Sequence, residues 1–203
     1  MTMSNKGALA RETIVAFLGD IFRRRGGEEY LGEPVTMAEH MLQGAHLAEL
    51  QGEDEIIVVA ALLHDIGHFT SEFGMFSMED THDKHHEEAG AEVLDAFFPS
   101  LVIDCVRLHV AAKRYICATD PTYFSELSAA SIHSLKLQGG PMNPDEIASF
   151  EKNPNVKEIV RVRRFDDAGK VAGLMTPNFD HYAPMIQRTV DKHFGTDPDS
   201  ATM

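Results

Sequence analysis

The sequence predicts an all-α protein, and three observations favour this class. Apolar residues recur at helical spacing, as at Ile14, Leu18, Ile21 and Phe22 within the stretch 8–25. Helix-capping signals precede several such stretches, whereas no alternating apolar pattern with hairpin turns is present. No internal repeat or low-complexity linker divides the 203 residues. We therefore expect one helical domain over the whole chain, with a frayed tail at its end, from about residue 195.

Two helix starts carry specific signals. Thr36 is followed three residues later by Glu39, and this pair has the pattern of a capping box. The letters NPDE at 143–146 show the usual order of cap, first-turn proline and acids. The first helix, over 8–25, should end at the glycine pair that follows it. We expect the other helices at about 82–98, 100–115, 121–138, 144–152, 155–165 and 179–194.

The most apolar stretch, EIIVVAALLH at 55–64, fits two conformations. Its composition is typical of a buried strand. Its length favours a buried helix, and so do Asp54 and Glu55 at its start, because acidic side chains stabilise the positive end of the helix dipole. We expect a buried helix at this position.

Charge and composition argue against several classes of partner. A net charge of −14 argues against nucleic acids and acidic membranes, because phosphate groups require a cationic surface. No apolar run is long enough to span a bilayer, and the first residues lack the apolar centre of a signal peptide. Cys105 and Cys117 show no CxxC spacing, so we expect free thiols. These features indicate a cytoplasmic protein, and they leave its oligomeric state open.

The stretch AALLHDIGHF at 60–69 ends the apolar run with two histidines and the carboxylate of Asp65. Burying such groups unpaired would cost several kcal/mol, so a metal cation is the favoured partner. Imidazole nitrogen and carboxylate oxygen together suit iron, manganese or zinc, whereas calcium and magnesium prefer oxygen alone. The donors along the chain outnumber the ligands of one ion, which indicates a dinuclear centre with Asp65 as its bridge. The donor positions are His40, His64, Asp65, His68, His86, His109 and Asp166.

Several of these positions also have simpler explanations. A lone histidine is more often a surface or core residue than a metal ligand. His82 and His85 crowd His86 and could substitute for it. Cys105 lies one turn before His109 and could bind zinc, although packing beneath the site is its favoured role. The pair HD is a weak signal alone, and its strength here comes from the ordered set.

This ordered set resembles that of the HD-domain superfamily of metal-dependent phosphohydrolases and oxygenases. The motifs EYLGEPVTMAEH, AALLHDIGH, HVAAKRY, LQGGPM and RRFDDAGK resemble more specifically one branch of mixed-valent di-iron oxygenases. That branch cleaves the carbon–phosphorus bond of 1-hydroxy-2-aminoethylphosphonates. The similarity covers most of residues 28–170 and implies a single HD-domain helical bundle.

The resemblance implies two iron ions per chain, as Fe²⁺ and Fe³⁺, with dioxygen as co-substrate. The first iron would be held by His40, His64, Asp65 and Asp166. The second would be held by Asp65, His86 and His109. In this branch a tyrosine and a glutamate three residues later form a lid over the second iron, and Tyr30 and Glu33 match them. Tyr30 would be a displaceable ligand of that iron.

The resemblance also implies a site for a dianionic phosphonate, which needs cationic and hydrogen-bonding partners. The expected contacts are His68, Lys113, Ser131, Ser134, Gln138 and Arg163. Lys113 lies four residues after a predicted ligand, on the same helical face. The two serines and the glutamine follow helical spacing along one polar stripe, which could also be a solvated face. His68 is expected to bond the phosphonate rather than a metal ion.

The segment after His68 is the expected contact for the substrate's ammonium group. Its candidate residues are Phe69, Glu72, Phe73, Phe76, Glu79 and Asp80. Aromatic faces with nearby carboxylates suit a quaternary ammonium, which cannot donate hydrogen bonds. This pattern favours (R)-1-hydroxy-2-(trimethylammonio)ethylphosphonate, with glycine betaine and phosphate as products. The alternatives are that the loop packs on the core, or that the substrate is the primary amine 2-amino-1-hydroxyethylphosphonate, which would yield glycine.

Two rival functions also fit parts of the pattern. A metal-dependent phosphohydrolase would use the same centre to activate water, but it gives Tyr30 and Glu33 no role. A non-catalytic sensor or scaffold would not need every ligand position filled, and all are filled here. Histidine and aspartate ligands alone would also accept manganese or zinc, so iron follows from the resemblance.

Overall fold

The fold is built from α-helices in a computed structural model that describes residues 9–30, 32–70 and 85–195. The helices are α1 (Ile14–Arg25), α2 (Met37–Leu50), α3 (Glu55–Leu63), α4 (Gly67–Thr70), α5 (His86–Leu94), α6 (Ser100–Thr119), α7 (Ala129–Leu137), α8 (Pro144–Phe150), α9 (Val156–Ala168) and α10 (Phe179–His193). No β-strand occurs in these ranges, where one isolated bridge joins Glu29 and Thr36. The all-α prediction is therefore confirmed. None of the helices in these ranges is both long and apolar enough to cross a membrane.

Helix α3 lies at the centre of the fold. Its residues 57–63 are all buried, and it packs against α2, α6, α9 and α10. Because neighbours cover every side, the helix needs no polar face, which explains its nearly continuous apolar sequence. The prediction of a buried helix rather than a strand is confirmed.

Side-chain caps begin two of the helices as predicted. The Thr36 hydroxyl accepts a hydrogen bond from the Glu39 backbone amide at 3.2 Å, and the Glu39 carboxylate accepts from the Thr36 amide at 2.7 Å. The Asn143 side chain accepts from the amides of Asp145 and Glu146, each at 3.0 Å. These bonds satisfy amides that have no partner inside the helix.

The predicted helix over 121–138 is wrong in its first half. A 3₁₀ turn, Tyr123–Glu126, precedes α7. Between the two lies Ser128, whose backbone is extended with a ψ of 164°. The Ser128 hydroxyl accepts from the Ser131 amide at 3.1 Å and so begins a new helix. A local side-chain bond to the backbone therefore divides a segment whose apolar spacing alone reads as one helix.

Other helix ends differ from the prediction by several residues. The first helix begins at Ile14 rather than at residue 8, and α6 and α9 extend to Thr119 and Ala168. Helix α5 occupies the middle of its expected range, of which residues 82–84 lie outside the described part of the chain. The short helix α4 was not predicted. Helix ends depend on single hydrogen bonds and tertiary packing, which apolar spacing does not encode.

Gly67 allows α4 and α5 to cross at very short distance. A β-carbon at this position would lie 1.7 Å from the His86 carbonyl oxygen and 2.7 Å from the Gly90 backbone nitrogen. No side chain fits such a contact, so the backbones can meet only at glycine. The contact brings the beginning of α5, and with it His86, against the segment that follows α3.

Replacing Gly67 by alanine should therefore lower the free energy of unfolding by about 1–3 kcal/mol, because the added methyl group overpacks this crossing. Urea denaturation followed by circular dichroism measures the change. Gly27→Ala is a matched control, since a β-carbon there meets no atom within 4 Å. Equal stability of the two variants would contradict the close crossing.

Candidate metal centre

Six predicted metal donors converge in the interior of the bundle. They come from α2, the end of α3, the first turn of α5, α6 and α9. Each is at most 9% exposed, so their polar groups must find partners within the protein or on a bound ion. The six are His40, His64, Asp65, His86, His109 and Asp166.

The Asp65 carboxylate lies between two pairs of histidines. Its Oδ2 atom is 3.4 Å from Nε2 of both His40 and His64. Its Oδ1 atom is 3.2 Å from Nε2 of His86 and 3.3 Å from Nε2 of His109. One oxygen therefore faces each pair, which is the arrangement expected of a carboxylate that bridges two cations.

The histidine rings are oriented by backbone carbonyls on the side away from Asp65. Three Nδ1 atoms lie 2.8–2.9 Å from these oxygens, in the pairs His40 with Gly169, His64 with Ala61 and His109 with Val106. With the proton on Nδ1, each ring turns an Nε2 lone pair toward the centre. This is the orientation that a metal ligand requires.

Short distances between ring nitrogens show that the donor set suits cations. The Nε2 atoms of His40 and His64 are 3.0 Å apart, and so are those of His86 and His109. Two unprotonated nitrogens at this distance would repel each other, so each pair must share a proton or a metal cation. Nitrogen and carboxylate donors together fit a first-row transition metal better than calcium or magnesium.

The charges of the centre reinforce this fit. Burial tends to raise the pKa of Asp65, but His64 and the neighbouring imidazoles outweigh it and hold the pKa well below its usual range. Burial lowers the pKa of His64, and the charges of Asp65 and Asp166 outweigh it and raise the pKa to about 9. The pKa of His109 is lowered by burial. The two carboxylates are thus ionised and attract positive charge.

His68 lies beside the centre. Its ring stacks on that of His86 with centroids 4.0 Å apart, and its Nε2 atom is 3.8 Å from Oδ1 of Asp65, farther than that of His109. Neither ring nitrogen has a hydrogen-bond partner in the described ranges. Burial and the charges of nearby imidazoles lower the pKa of His68 well below its usual value, so the ring is neutral. Its position fits a contact to a ligand in the adjoining cavity.

Tyr30 covers the His40 ring of the centre. Its ring stacks on that of His40 with centroids 3.9 Å apart and an interplanar angle of 13°, and the side chain is 5% exposed. Burial, together with the charges of Asp65 and Asp166 and a hydrogen bond to Asp65, raises the Tyr30 pKa well above its usual value. The hydroxyl is therefore protonated in the protein without bound metal.

A cavity opens next to the centre, and all the residues predicted to contact a phosphonate line it. They are His68, Lys113, Ser131, Ser134, Gln138 and Arg163. Tyr30 and Glu33 line the same cavity. Because Ser131 and Ser134 are buried at 6% and 8% exposure, the polar stripe of α7 is not a solvated face.

The hydroxyls of α7 hold two ammonium groups at the cavity. Lys113 Nζ donates to Ser134 Oγ at 2.7 Å, and Lys170 Nζ donates to Ser131 Oγ at 3.1 Å. Burial and the charge of Arg163 lower the Lys113 pKa to about 7. An anion entering the cavity would compensate for this burial and favour the charged lysine.

Arg163 lines the cavity, but its charge is balanced within the protein. The guanidinium group forms an ion pair of 2.6 Å with Asp166 and a second ion pair with Asp167, and its Nε donates to the Tyr123 hydroxyl at 3.1 Å. This arrangement orients the Asp166 carboxylate toward the histidines. The expected contact of Arg163 with a substrate anion stays a prediction.

Lys170 is a cavity residue that the sequence reasoning missed. It lies four residues after Asp166, a spacing that could have indicated it, although the intervening Gly169 ends α9. The backbone around it is fixed by α2, since the Gln43 amide donates to the Val171 carbonyl at 2.8 Å and accepts from the Val171 amide at 2.9 Å. A β-carbon at Gly169 would lie 2.9 Å from the His40 carbonyl oxygen.

The structure does not place Phe69 in the cavity. Its ring packs against Phe22, with centroids 6.4 Å apart, and beneath the Arg25 guanidinium, 5.2 Å from the ring centroid. Phe69 follows α3 on the core side, where an apolar ring is covered by α1. Its expected ammonium contact stays a prediction, and the other candidates, Glu72, Phe73, Phe76, Glu79 and Asp80, lie outside the described residues.

Two alternative ligands are also displaced from the centre. The His85 side chain is 69% exposed, so His86 rather than His85 faces Asp65. Cys105 is absent from the groups of close metal donors found among the described residues, and burial raises the pKa of its thiol. A neutral buried thiol packs as a small apolar group. His82 lies outside the described ranges.

Comparison with known proteins agrees with this geometry. Residues 37–141 match the HD domain. The chain is 68% identical over 195 residues to the [1-hydroxy-2-(trimethylamino)ethyl]phosphonate dioxygenase (glycine-betaine-forming) of Leisingera caerulea, covering 96% of this chain and 100% of that protein. It is 43% identical over 169 residues to the hydroxymethylphosphonate dioxygenase of Gimesia maris, covering 81% and 83% of the two chains. An uncharacterised protein of Acanthamoeba polyphaga mimivirus is 33% identical over 173 residues, with 82% and 77% covered.

The HD-domain match ends before α9, whereas the similarity to the Leisingera caerulea relative covers 96% of the chain. The buried histidine and aspartate cluster, the all-α fold and the matched relatives are mutually consistent. The chain belongs to the HD-domain family and, within it, to the phosphonate dioxygenases.

Proposed function

We propose that the protein is a dioxygenase that cleaves the carbon–phosphorus bond of (R)-1-hydroxy-2-(trimethylammonio)ethylphosphonate to give glycine betaine and phosphate. The observation that carries this proposal is the 68% identity to a relative named for this reaction. The buried donor cluster beside a cavity with two lysines supports it, since the reaction needs a redox metal and a site for an anion. The relative named for hydroxymethylphosphonate, which has no amine, is only 43% identical, so the trimethylamino substrate of the more similar relative is the better match.

The two iron ions of the proposed cofactor would be divided by Asp65. His40, His64 and Asp166 would complete the ligands of the first ion, and His86 and His109 those of the second. Tyr30, which covers the centre, would be a ligand of the second ion that substrate displaces. Bound iron would supply the redox chemistry that oxidises carbon one of the substrate with dioxygen. The residues themselves orient the substrate and exclude water.

The cavity residues would bind the phosphonate by charge and hydrogen bonds. Lys113 and Lys170 provide two ammonium groups already held by serine hydroxyls. The neutral ring of His68, whose nitrogens lack a hydrogen-bond partner in the described ranges, and the amide NH2 of Gln138 would donate further hydrogen bonds. Preorganised donors of this kind lose little freedom when the anion binds. Arg163 would act mainly on Asp166.

The function is tested with iron-loaded protein by following dioxygen uptake, glycine betaine and phosphate in the same reaction. Equimolar consumption and formation of all three is the expected result. Preference for 2-amino-1-hydroxyethylphosphonate, with glycine as product, would keep the chemistry and change the substrate. Release of phosphate from phosphate esters without dioxygen would replace the proposal by a phosphohydrolase. Metal analysis with electron paramagnetic resonance, before and after anaerobic substrate addition, tests for two irons in mixed valence.

Replacing Tyr30 by phenylalanine should uncouple dioxygen consumption from product formation. The variant keeps the ring that stacks on His40 but lacks the hydroxyl that would bind the second iron. We expect dioxygen uptake without substrate to rise several-fold, measured with an oxygen electrode. Tyr182→Phe is a matched control, because this buried hydroxyl lies in α10 and lacks a hydrogen-bond partner among the described residues. Equal behaviour of both variants would remove the proposed role of Tyr30.

The pKa of Lys113, lowered to about 7, predicts a pH dependence of substrate binding. The ammonium is charged below this pH and neutral above it, so KM should rise with pH above about 7, approaching tenfold per unit. Steady-state kinetics from pH 6 to 9 measure the effect. The Lys113→Gln variant should have a KM higher by at least about tenfold at pH 6. The KM of this variant should not rise above pH 7 through loss of the lysine charge. It should keep only the pH dependence that ionisation of the phosphonate itself causes.

A further inference from the structure

We infer that Ser128 is a positioning residue that holds Glu33, and with it the turn carrying Tyr30, against α7. The inference deepens the proposed function and rests on it for its catalytic meaning. Ser128 belongs to neither the donor cluster nor the lining of the cavity. It acts through Glu33, which does line the cavity.

One hydroxyl group joins the two parts. The Ser128 hydroxyl donates a hydrogen bond to Glu33 Oε1 and accepts one from the Ser131 amide at 3.1 Å. A hydroxyl has one proton and two lone pairs, so both bonds form at once. Both side chains are half-buried, where a hydrogen bond to a carboxylate is stronger than at an exposed surface. Capping α7 and binding Glu33 are therefore separate functions of the same atom.

The turn that carries Glu33 also carries Tyr30. The Glu33 amide donates to the Tyr30 carbonyl at 2.7 Å, and the Tyr30 amide donates to the Val35 carbonyl at 3.2 Å. Because the first of these bonds connects the two residues directly, a shift of Glu33 displaces the backbone of Tyr30. The bond from Ser128 thus helps to keep the Tyr30 ring stacked on His40.

The hydrogen bond between Ser128 and Glu33 joins the turn to helix α7, which faces the proposed phosphonate position. Helix α7 carries Ser131 and Ser134, whose hydroxyls bind the ammonium groups of Lys170 and Lys113. Ser128 lies one turn before Ser131 at the N-terminus of this helix. The turn that carries Tyr30 and Glu33 and the helix α7 therefore meet at the side chain of Ser128.

Substitutions can separate the two functions of Ser128. Ser128→Asp keeps an oxygen that caps α7 but places a second carboxylate against Glu33. Ser128→Thr keeps both the cap and the hydroxyl proton and is the conservative control. The double variant Ser128→Asp with Glu33→Gln restores one hydrogen bond with donor and acceptor exchanged, since the glutamine amide donates to the aspartate.

Hydrogen–deuterium exchange of the substrate-free, metal-loaded protein measures the closed turn directly. We expect Ser128→Asp to accelerate exchange of the Tyr30 and Glu33 amides about tenfold or more, while the amides of α7 stay protected. Dioxygen uptake without substrate should rise in parallel. Ser128→Thr should match the parent protein, and the double variant should recover the slow exchange.

Unchanged exchange in Ser128→Asp, or no recovery in the double variant, would overturn the positioning role. Faster exchange in α7 as well as in the turn would also overturn it, since Ser128 would then act only on helix stability. These measurements need no turnover. A parent protein that shows the expected exchange pattern but no phosphonate oxidation would therefore refute the proposed function and leave the positioning role intact.

Discussion

The burial of the Asp65 carboxylate between four imidazoles is the interaction on which the rest of the structure depends. An ionised carboxylate that is 2% exposed is stable only if its charge is compensated nearby. The compensating rings come from separate helices, so α2, α5 and α6 must all approach the end of α3. The centre therefore dictates where α3 ends, and the bare backbone of Gly67 permits α5 to reach it. The packing of these helices and the compensation of the Asp65 charge therefore depend on the same contacts.

Charge in this protein is organised locally rather than globally. The chain has a net charge of −14, yet the cavity presents the cations of Lys113 and Lys170 beside the buried carboxylates. Arg163 contacts both regions, because it forms ion pairs with Asp166 and Asp167 and also lines the cavity. The proposed metal ions would face anionic ligands, and a phosphonate would face ammonium groups. The net charge of the chain therefore does not indicate the charge of the substrate, whereas the lysines that line the cavity indicate an anion.

Local signals in the sequence predicted much of the fold. The caps at Thr36 and Asn143 and the buried helix α3 follow from short-range rules, and the helical class followed from them. The division of 121–138 was missed because it depends on one hydroxyl bond at Ser128, which outweighs apolar spacing. The ordered donors were identified by resemblance, and the structure places them together. Lys170 was missed because residue type alone does not tell which side chains beyond the end of a helix face a cavity.

The fixed connection between α2 and the segment after α9 has a consequence for attempts to alter this protein. His40 binds the Gly169 carbonyl, and Gln43 binds both backbone groups of Val171, so Lys170 is held between contacts to the helix that supplies a metal donor. Exchanging the segment 169–171 alone would therefore not transfer a substrate preference from one protein to another. Substitutions at 169–171 would therefore also disturb α2 and the orientation of His40, unless α2 were varied with them.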